Sequence, residues 1–416
     1  MSKNKKTSDY DLVISGGGMV GASLACALGS QALRIAIVEA VPYQAEIQPS
    51  YDDRAIALSF GTHRIFNSIG VWRHLAPHAT PIRHIHVSEQ GAFGATRLHC
   101  SDEGVQALGY VATAREIGHA LASQLQTLNN VDLMSPAQLT DLQVDDHRAT
   151  VTIQHTGKRS QTLTCALLVA ADGGNSTVRQ LLGISATKTD YHQSAIIANV
   201  STQQPHNNVA YERFTPYGPL AVLPMGTEDA KPRCSIVWTQ PSDKVEAMLA
   251  LDEESFLSQL QQSFGNRLGR FLKVGNRAVY PLYLMQVKEQ VRPRVALIGN
   301  AAHTLHPIAG QGFNLGLRDV AALAEIIVNA HHLPSDMGEL AMLQQYANWR
   351  KTDHQHIIGL TDTLVRVFSN HFAPIQTART TALLALDTLP GAKHLLAKHT
   401  MGLAGKLPRL ARGLPL

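Results

Sequence analysis

The sequence predicts an α/β fold: a Rossmann-like dinucleotide-binding domain, an inserted antiparallel β-sheet domain and a helical C-terminus. Three observations lead there. Residues 10 to 39 read as strand, glycine turn, helix, strand: "YDLVIS", "GGGMVG", "GASLACALGS" and "LRIAIVE". That is a βαβ unit, which implies a parallel sheet. Two further buried strands that run into glycine or amide turns follow more than a hundred residues apart, "CALLVAADGG" (165–174) and "RVALIGN" (294–300). One domain is therefore assembled from distant segments. Between those segments the texture changes. "SAIIANVST", "VAYERF", "PLAVLPM" and "RCSIVWTQ" are short, partly alternating and separated by turn residues, as in an antiparallel sheet.

The remaining elements follow in order. Phe256, Leu260, Phe264 and Leu268 stand four apart in residues 252–272, which predicts one helix with a core-facing stripe. After about Leu340 the chain reads as helical to its end. The expected division is 8–80, 108–185 and 278–345 for the discontinuous nucleotide-binding domain, 81–107 and 186–277 for the sheet domain, and 346–416 for the helical region.

Composition narrows the function classes. A net charge of +4, from 36 basic and 32 acidic residues, gives no case for nucleic acid. Cys26, Cys100, Cys165 and Cys234 are scattered without any CxxC, so neither a disulfide framework nor a zinc site is suggested. The opening "MSKNKKTSDYD" is basic but lacks the apolar stretch of a signal peptide, and no apolar run is long enough to span a bilayer. A cytoplasmic protein is expected.

Gly16, Gly18 and Gly21 form Gly-x-Gly-x-x-Gly between a strand and a helix. The first glycine allows the turn, the second lets a pyrophosphate approach the backbone, and the third lets helix and strand pack closely. Glu39, at the end of the next strand, is placed to accept from a ribose; its charge disfavours a 2′-phosphate, so NAD and FAD both remain open. Asp172-Gly173, followed by Ser176 and Arg179, is by itself as consistent with a capped Asp-Gly turn as with a ligand loop. The stretch "ALIGNAAHTLHPIAGQGFNLGLRD" (296–319) is less generic: Gly310, Gln311, Gly312, Asn314 and Gly316 crowd one turn as a helix begins near Phe313. Such a loop aims backbone N–H groups at a negative or electron-rich partner. Twenty histidines invite a metal reading, but His303 and His306 lie in a Pro- and Gly-rich loop without a nearby carboxylate, and the His354–His356 run is likewise unsupported as a ligand set. No metal is expected.

Together the three glycine signals resemble the signature set of the aromatic-ring flavoprotein monooxygenases, the para-hydroxybenzoate hydroxylase type, over most of the chain. The resemblance implies FAD as cofactor, NADH or NADPH as transient reductant and O2 as co-substrate. It assigns Gly16, Gly18, Gly21 and Glu39 to the ADP half, Asp172 and Gly173 to FAD and NAD(P)H, and Gly299, Asn300, Gly310, Gln311, Gly312, Phe313 and Asn314 to the ribityl chain and flavin ring. Arg54, in "DDRAIAL", matches a family arginine near the pyrophosphate, although an ion pair with Asp52 or Asp53 is the alternative. Arg115 opens a helix whose counterpart passes the flavin. Asn300 stands where the family normally has Asp. The words around it, with "DDRAIALSFGT" and "ERFTPYGPLAVLP", resemble the branch that hydroxylates 2-polyprenyl-6-methoxyphenol in bacterial ubiquinone biosynthesis, where Asn is expected.

That resemblance implies ring hydroxylation through a flavin hydroperoxide, with a polyprenyl-phenol as substrate. The inserted sheet is expected to cover the flavin, with Tyr217 and Arg213 as candidates near the ring and Pro307 offering a backbone carbonyl. No side-chain base is singled out. After Asp387 no acidic residue follows, while Lys393, Lys398, Lys406, Arg409 and Arg412 lie among Leu and Ala. The tail thus reads as basic and amphipathic, suited to the inner-membrane surface or to other ubiquinone-biosynthesis proteins, and equally as an ordinary solvated helix. Two other readings stay open: a sister hydroxylase acting at another ring carbon, and a non-catalytic prenyl carrier of related fold. A plain NAD dehydrogenase leaves two of the three motifs without a role.

Overall fold

The computed structural model describes residues 8–43, 52–157, 160–228, 231–306, 308–333, 335–368 and 373–416. The first sheet is built around Tyr10–Ser15, which pairs in parallel with Ser160–Ala170 on one side and Ile35–Val38 on the other. Val295–Leu297 and Val131–Met134 extend the parallel order outward. Leu12, Val13 and Ile14 are wholly buried because both sheet faces are covered, which is why these strands read as continuous apolar runs. Met19–Leu28, Ala114–Leu125 and Gln311–His332 supply one cover. The antiparallel strands Ala137–Val144 and Ala149–His155, with the Thr177–Leu181 turn of helix, supply the other.

The second sheet runs in the order 303–304, 278–287, 186–202, 231–241, 218–228, 209–215, 84–89, 95–99. Its membership corrects one expected boundary. Ala278–Val287, placed with the nucleotide-binding domain on sequence grounds, pairs along Ala186–Thr202 from Val287 to Ala278. The partner strand is 17 residues long, so it offers a ladder on both sides of residue 278. His303–Thr304 then pairs with Met285 and Gln286, which draws the third glycine loop onto the edge of this sheet.

One face of the second sheet is closed by Glu253–Phe264. Asp252 caps this helix by accepting from the Ser255 N–H at 2.8 Å, and Glu253 and Glu254 favour its N-terminus. Phe256, Leu260 and Phe264 are buried against Leu220, Val222, Ile236 and Trp238. Leu268 joins the same core but lies outside the helix, which stops at Gly265 with φ +88°. The opposite face looks toward Ala55–Ser59 and the third glycine loop: Gly218–Glu228 packs on both.

The C-terminal region forms Leu340–Phe368, Ala373–Thr388 and Pro390–Thr400. It is not helical to its end. After Thr400 the chain turns back, Leu410 and Ala411 enter the core of the first domain beside the Phe60–Ser68 helix, and the Trp349 indole donates to the Lys406 carbonyl at 2.9 Å. Much of the expected basic tail is therefore a strap. Apolar Leu410 decides this more than the charges around it.

Candidate functional site

The first glycine turn is shaped by contacts that admit no side chain. Gly16 has φ +99°, and a Cβ there would lie 2.6 Å from the Ala171 carbonyl oxygen. The turn therefore rests directly on the Asp172-Gly173 loop. At Gly21 a Cβ would meet the Gly16 carbonyl at 2.0 Å. Gly18 caps the Met19–Leu28 helix with no side-chain hydrogen bond, and no acid stands in that helix's first turn. Glu39 holds the turn from the other side: its carboxylate accepts from the Gly17 N–H at 2.7 Å and the Val41 N–H at 2.9 Å. Each oxygen keeps a further lone pair for a ribose hydroxyl.

The Asp172 loop shows both of its sequence readings at once. Asp172 accepts from the Val178 N–H at 3.1 Å and Ser176 from the Arg179 N–H at 3.1 Å, so the capped turn is real. The second oxygen of Asp172 is buried without a hydrogen bond, and burial raises its pKa against the pull of Ser176 and Val178. Beside it, Gly173 has φ +83° and open space where a side chain would stand. Arg179 ties this loop to the third one by donating to the Ala301 carbonyl at 3.0 Å.

In the third loop, Gly299 has φ +57° and packs on Val20, while Gly316 lets the long helix approach Gly299. Asn300 is exposed and its amide makes no hydrogen bond among the described residues. Gly310 caps Gln311–His332 in a left-handed conformation without a side-chain bond, and no acid lies in the first turn. Gly312 faces open space, and Phe313 packs against the core through Phe66 at 6.1 Å between ring centroids. Asn314 departs from expectation. Its oxygen accepts from the Ser59 N–H at 2.8 Å and the Thr62 hydroxyl at 2.7 Å, and its nitrogen donates to the Ala57 and Gly310 carbonyls at 2.9 and 2.7 Å. Two donors and two acceptor sites are all used. Its side chain is thus a clamp between the long helix and residues 57–62, leaving only its backbone for a ligand.

A buried ionic lock behind this loop is absent from the sequence reading. Asp319 is fully buried and accepts from His303 Nε2, His354 Nε2 and Arg350 Nε, each at 2.7 Å, and from the Gly299 N–H at 3.3 Å. Arg350 and Arg318 both pair with Asp353, at 2.6 and 2.8 Å. Burial alone would raise the Asp319 pKa; His354, His303 and Arg350 outweigh it and hold the carboxyl well below the usual range. His303 thus has the carboxylate that the sequence did not reveal. His303, Asp319 and His354 also converge as a metal site would. Arg350, however, occupies the cationic place beside the carboxylate, so the group is a hydrogen-bonded lock.

The remaining candidates fall in three positions. Arg54 pairs with Asp52 at 2.7 Å and stacks on Tyr280 at 4.6 Å, and Arg115 pairs with Asp53 at 3.0 Å. For Arg54 the ion pair with Asp52, the alternative to a pyrophosphate contact, is formed. Arg213 and Tyr217 are not brought to the cleft. Arg213 shares the strand face of Tyr211 and donates to the Ser263 carbonyl at 3.0 Å, on the side covered by the 253–264 helix. Tyr217 is exposed in a turn, with Lys244 over its ring at 3.9 Å. Pro307 lies outside the described residues.

On the cleft side of the second sheet, the strand alternation presents Ile197, Val237, Ala221 and Leu223 as a half-buried row. Their neighbours Ile196, Ile236 and Val222 are fully buried on the other face. Phe214, Val87, Leu364 and Leu383 continue the apolar surface toward the 373–388 helix. The cleft therefore joins uncapped helix N-termini on one wall to an apolar sheet on the other.

Comparison with known proteins agrees with this geometry. The family model described as "FAD binding domain" matches residues 9–358. The chain is 38% identical over 410 residues to ubiquinone hydroxylase UbiL of Rhodospirillum rubrum, covering 98% of this chain and 93% of that protein. It is 29% identical over 401 residues to 3-demethoxyubiquinol 3-hydroxylase of Escherichia coli K12, covering 94% and 98%. The crystal structure of p-nitrophenol 4-monooxygenase PnpA from Pseudomonas putida DLL-E4 shares the fold, with a TM-score of 0.77 at 18% identity over 95% of this chain and 99% of that one. The glycine turns, the sheet arrangement and the family match thus converge: the chain belongs to the FAD binding domain family and is an FAD-dependent monooxygenase.

Proposed function

We propose that the protein hydroxylates the phenol ring of 2-polyprenyl-6-methoxyphenol in ubiquinone biosynthesis, consuming NADH or NADPH and O2. The observation that carries this reading is the half-buried apolar row Ile197, Val237, Ala221 and Leu223 facing the third glycine loop. An aromatic ring with an apolar substituent fits such a wall better than a charged metabolite does. Relatives named for ubiquinone hydroxylation point to the same substrate class.

The residues present fit FAD. Two helix N-termini lack side-chain caps and first-turn acids, so their N–H groups are available to a pyrophosphate and to a developing negative charge on a ring. Space is open beside Gly173 and Gly312, and the Asn300 amide is exposed to donate and accept at a hydroxylated chain. FAD, when bound, supplies the oxygen activation that no side chain here can provide. The chain's own work is to bind, orient and dry the ring: Glu39 at the ribose, Asn300 at the ribityl hydroxyls, and the sheet wall excluding water and aligning the ring. A sister reading, hydroxylation at another ring carbon, is favoured by the resemblance to 3-demethoxyubiquinol 3-hydroxylase.

The test is a flavin titration followed by NAD(P)H oxidation with a short-chain 2-prenyl-6-methoxyphenol and identification of the product. Stoichiometric FAD and a ring-hydroxylated product are expected. A product oxidised at a different position would transfer the assignment to the sister reaction. Reductant consumption with hydrogen peroxide as the sole product would overturn the substrate.

A further inference from the structure

The Ala373–Thr388 helix lies over the edge of the second sheet, held by the Thr96 hydroxyl donating to the Leu383 carbonyl at 2.8 Å and by Arg97 pairing with Asp387 at 2.9 Å. Its inner side is apolar, with Leu383 against Phe214 of the cleft-facing sheet. The two charged residues of this helix are both spent inward: Arg379 is buried and pairs with Glu89, and Asp387 pairs with Arg97 and Lys393. From Ala378 onward its outward positions are Ala378, Thr381, Ala382, Leu384 and Thr388, none charged. Leu384 is 47% exposed, and Leu389 and Leu395 just beyond it are 56% and 58% exposed.

A second chain segment reaches the same place. A Cβ on Gly94 would lie 2.7 Å from the Thr380 carbonyl, one turn from Leu384, and the adjoining Phe93 is 101% exposed. A wholly exposed phenylalanine and three exposed leucines on neighbouring elements are not what isolated surface residues look like. On the Pro390–Thr400 helix, Leu395 shares its outward face with Lys398, which is exposed and has no ion pair among the described residues. The acids that pair with this helix are already committed, Glu103 to His394 at 2.7 Å and Asp387 to Lys393 at 3.5 Å. An uncharged apolar face bordered by a free cation matches an anionic lipid surface in both character and sign.

We propose that Phe93, Leu384, Leu389 and Leu395 form the face by which the protein lies on an anionic bilayer. The attachment is peripheral, since among the described residues no helix is long and apolar enough to cross a membrane. The inference extends the proposed function: the Phe214–Leu383 contact places the apolar end of the cleft directly beneath this face, where a polyprenyl chain would leave the bilayer.

Co-flotation of the FAD-loaded protein with phosphatidylglycerol–phosphatidylethanolamine vesicles tests it, with phosphatidylcholine vesicles for comparison. Binding to the anionic vesicles is expected, at least about tenfold weakened in F93E/L384E and reduced in Lys398→Glu. Both altered apolar positions are exposed, so FAD content and hydroxylation of a short-chain phenol in solution should be unchanged. That second readout separates failure of this inference from failure of the proposed reaction. Failure of the wild-type protein to float, or flotation of F93E/L384E like the wild type, would overturn the proposal. A wild-type dimer that the double variant converts to monomer, without vesicle binding, would reassign the face to self-association.

Discussion

His306 sits edge-on to Tyr191, 5.5 Å between ring centroids, fully buried and with no hydrogen bond to either ring nitrogen. Burial pushes its pKa down from 6.5 to about 4. Between those values the unfolded chain carries a proton that the folded chain does not, so stability falls as pH drops through that window and levels below it. The span corresponds to about 3 kcal/mol at 1.4 kcal/mol per unit. His306→Leu should therefore flatten the loss of urea midpoint between neutral and mildly acidic pH; an unaltered slope would show that His306 has a proton partner. Residue roles differ in how far sequence could carry them. Gly18, Gly21 and Glu39 are legible because their geometry is set within thirty residues of chain, whereas the Ala171 carbonyl that crowds Gly16 lies far along it. Asn314 was placed in the right loop, but its saturation depends on Ala57, Ser59 and Thr62, more than 250 positions away. For Arg213, alternation shows that it shares a face with Tyr211, yet nothing in the period says which face looks into the cleft.

Elements that share the third loop are joined by Asp319. This single carboxylate ties the Gly299 turn and the sheet strand at His303 to the long helix and to Arg350 and His354 on the next one. Asp319→Asn keeps the shape but removes the charge that offsets buried Arg350, so a loss of about 3–5 kcal/mol is expected. Thermal and urea unfolding, with FAD retention alongside, would measure it. Stability within about 0.5 kcal/mol of wild type would mean that Asp353 alone satisfies Arg350. No local pattern announced this lock, since its members lie up to 51 positions apart, from His303 to His354. The 253–264 helix shows the complementary error: its stripe was read correctly, but the four-residue spacing ran on through Leu268 after Gly265 had already turned the chain. Hydrophobic period reports a common core, and it does so whether or not the helix continues.

Seen whole, the molecule closes with its own C-terminus. Deleting residues 401–416 should cost far more than surface charge, because Leu410 and Ala411 leave the core of the first domain. Leu410→Ala alone is expected to lose about 2–5 kcal/mol, whereas Arg412→Ala, at an exposed position, should change stability by less than about 0.5 kcal/mol. Melting temperatures of the FAD-loaded variants check both, and equal effects would show that Leu410 does not anchor the strap. The same discontinuity governs synthesis. Ser160–Ala170 has its edge completed only by Val295–Leu297, made roughly 125 residues later. At usual elongation rates of about 5–20 residues per second, the ribosome leaves that strand edge open for about 6 to 25 s. A nascent chain in this state presents an unpaired apolar ladder to every neighbour, so the yield of active enzyme in a cell should depend on chaperone supply and translation speed before it depends on flavin.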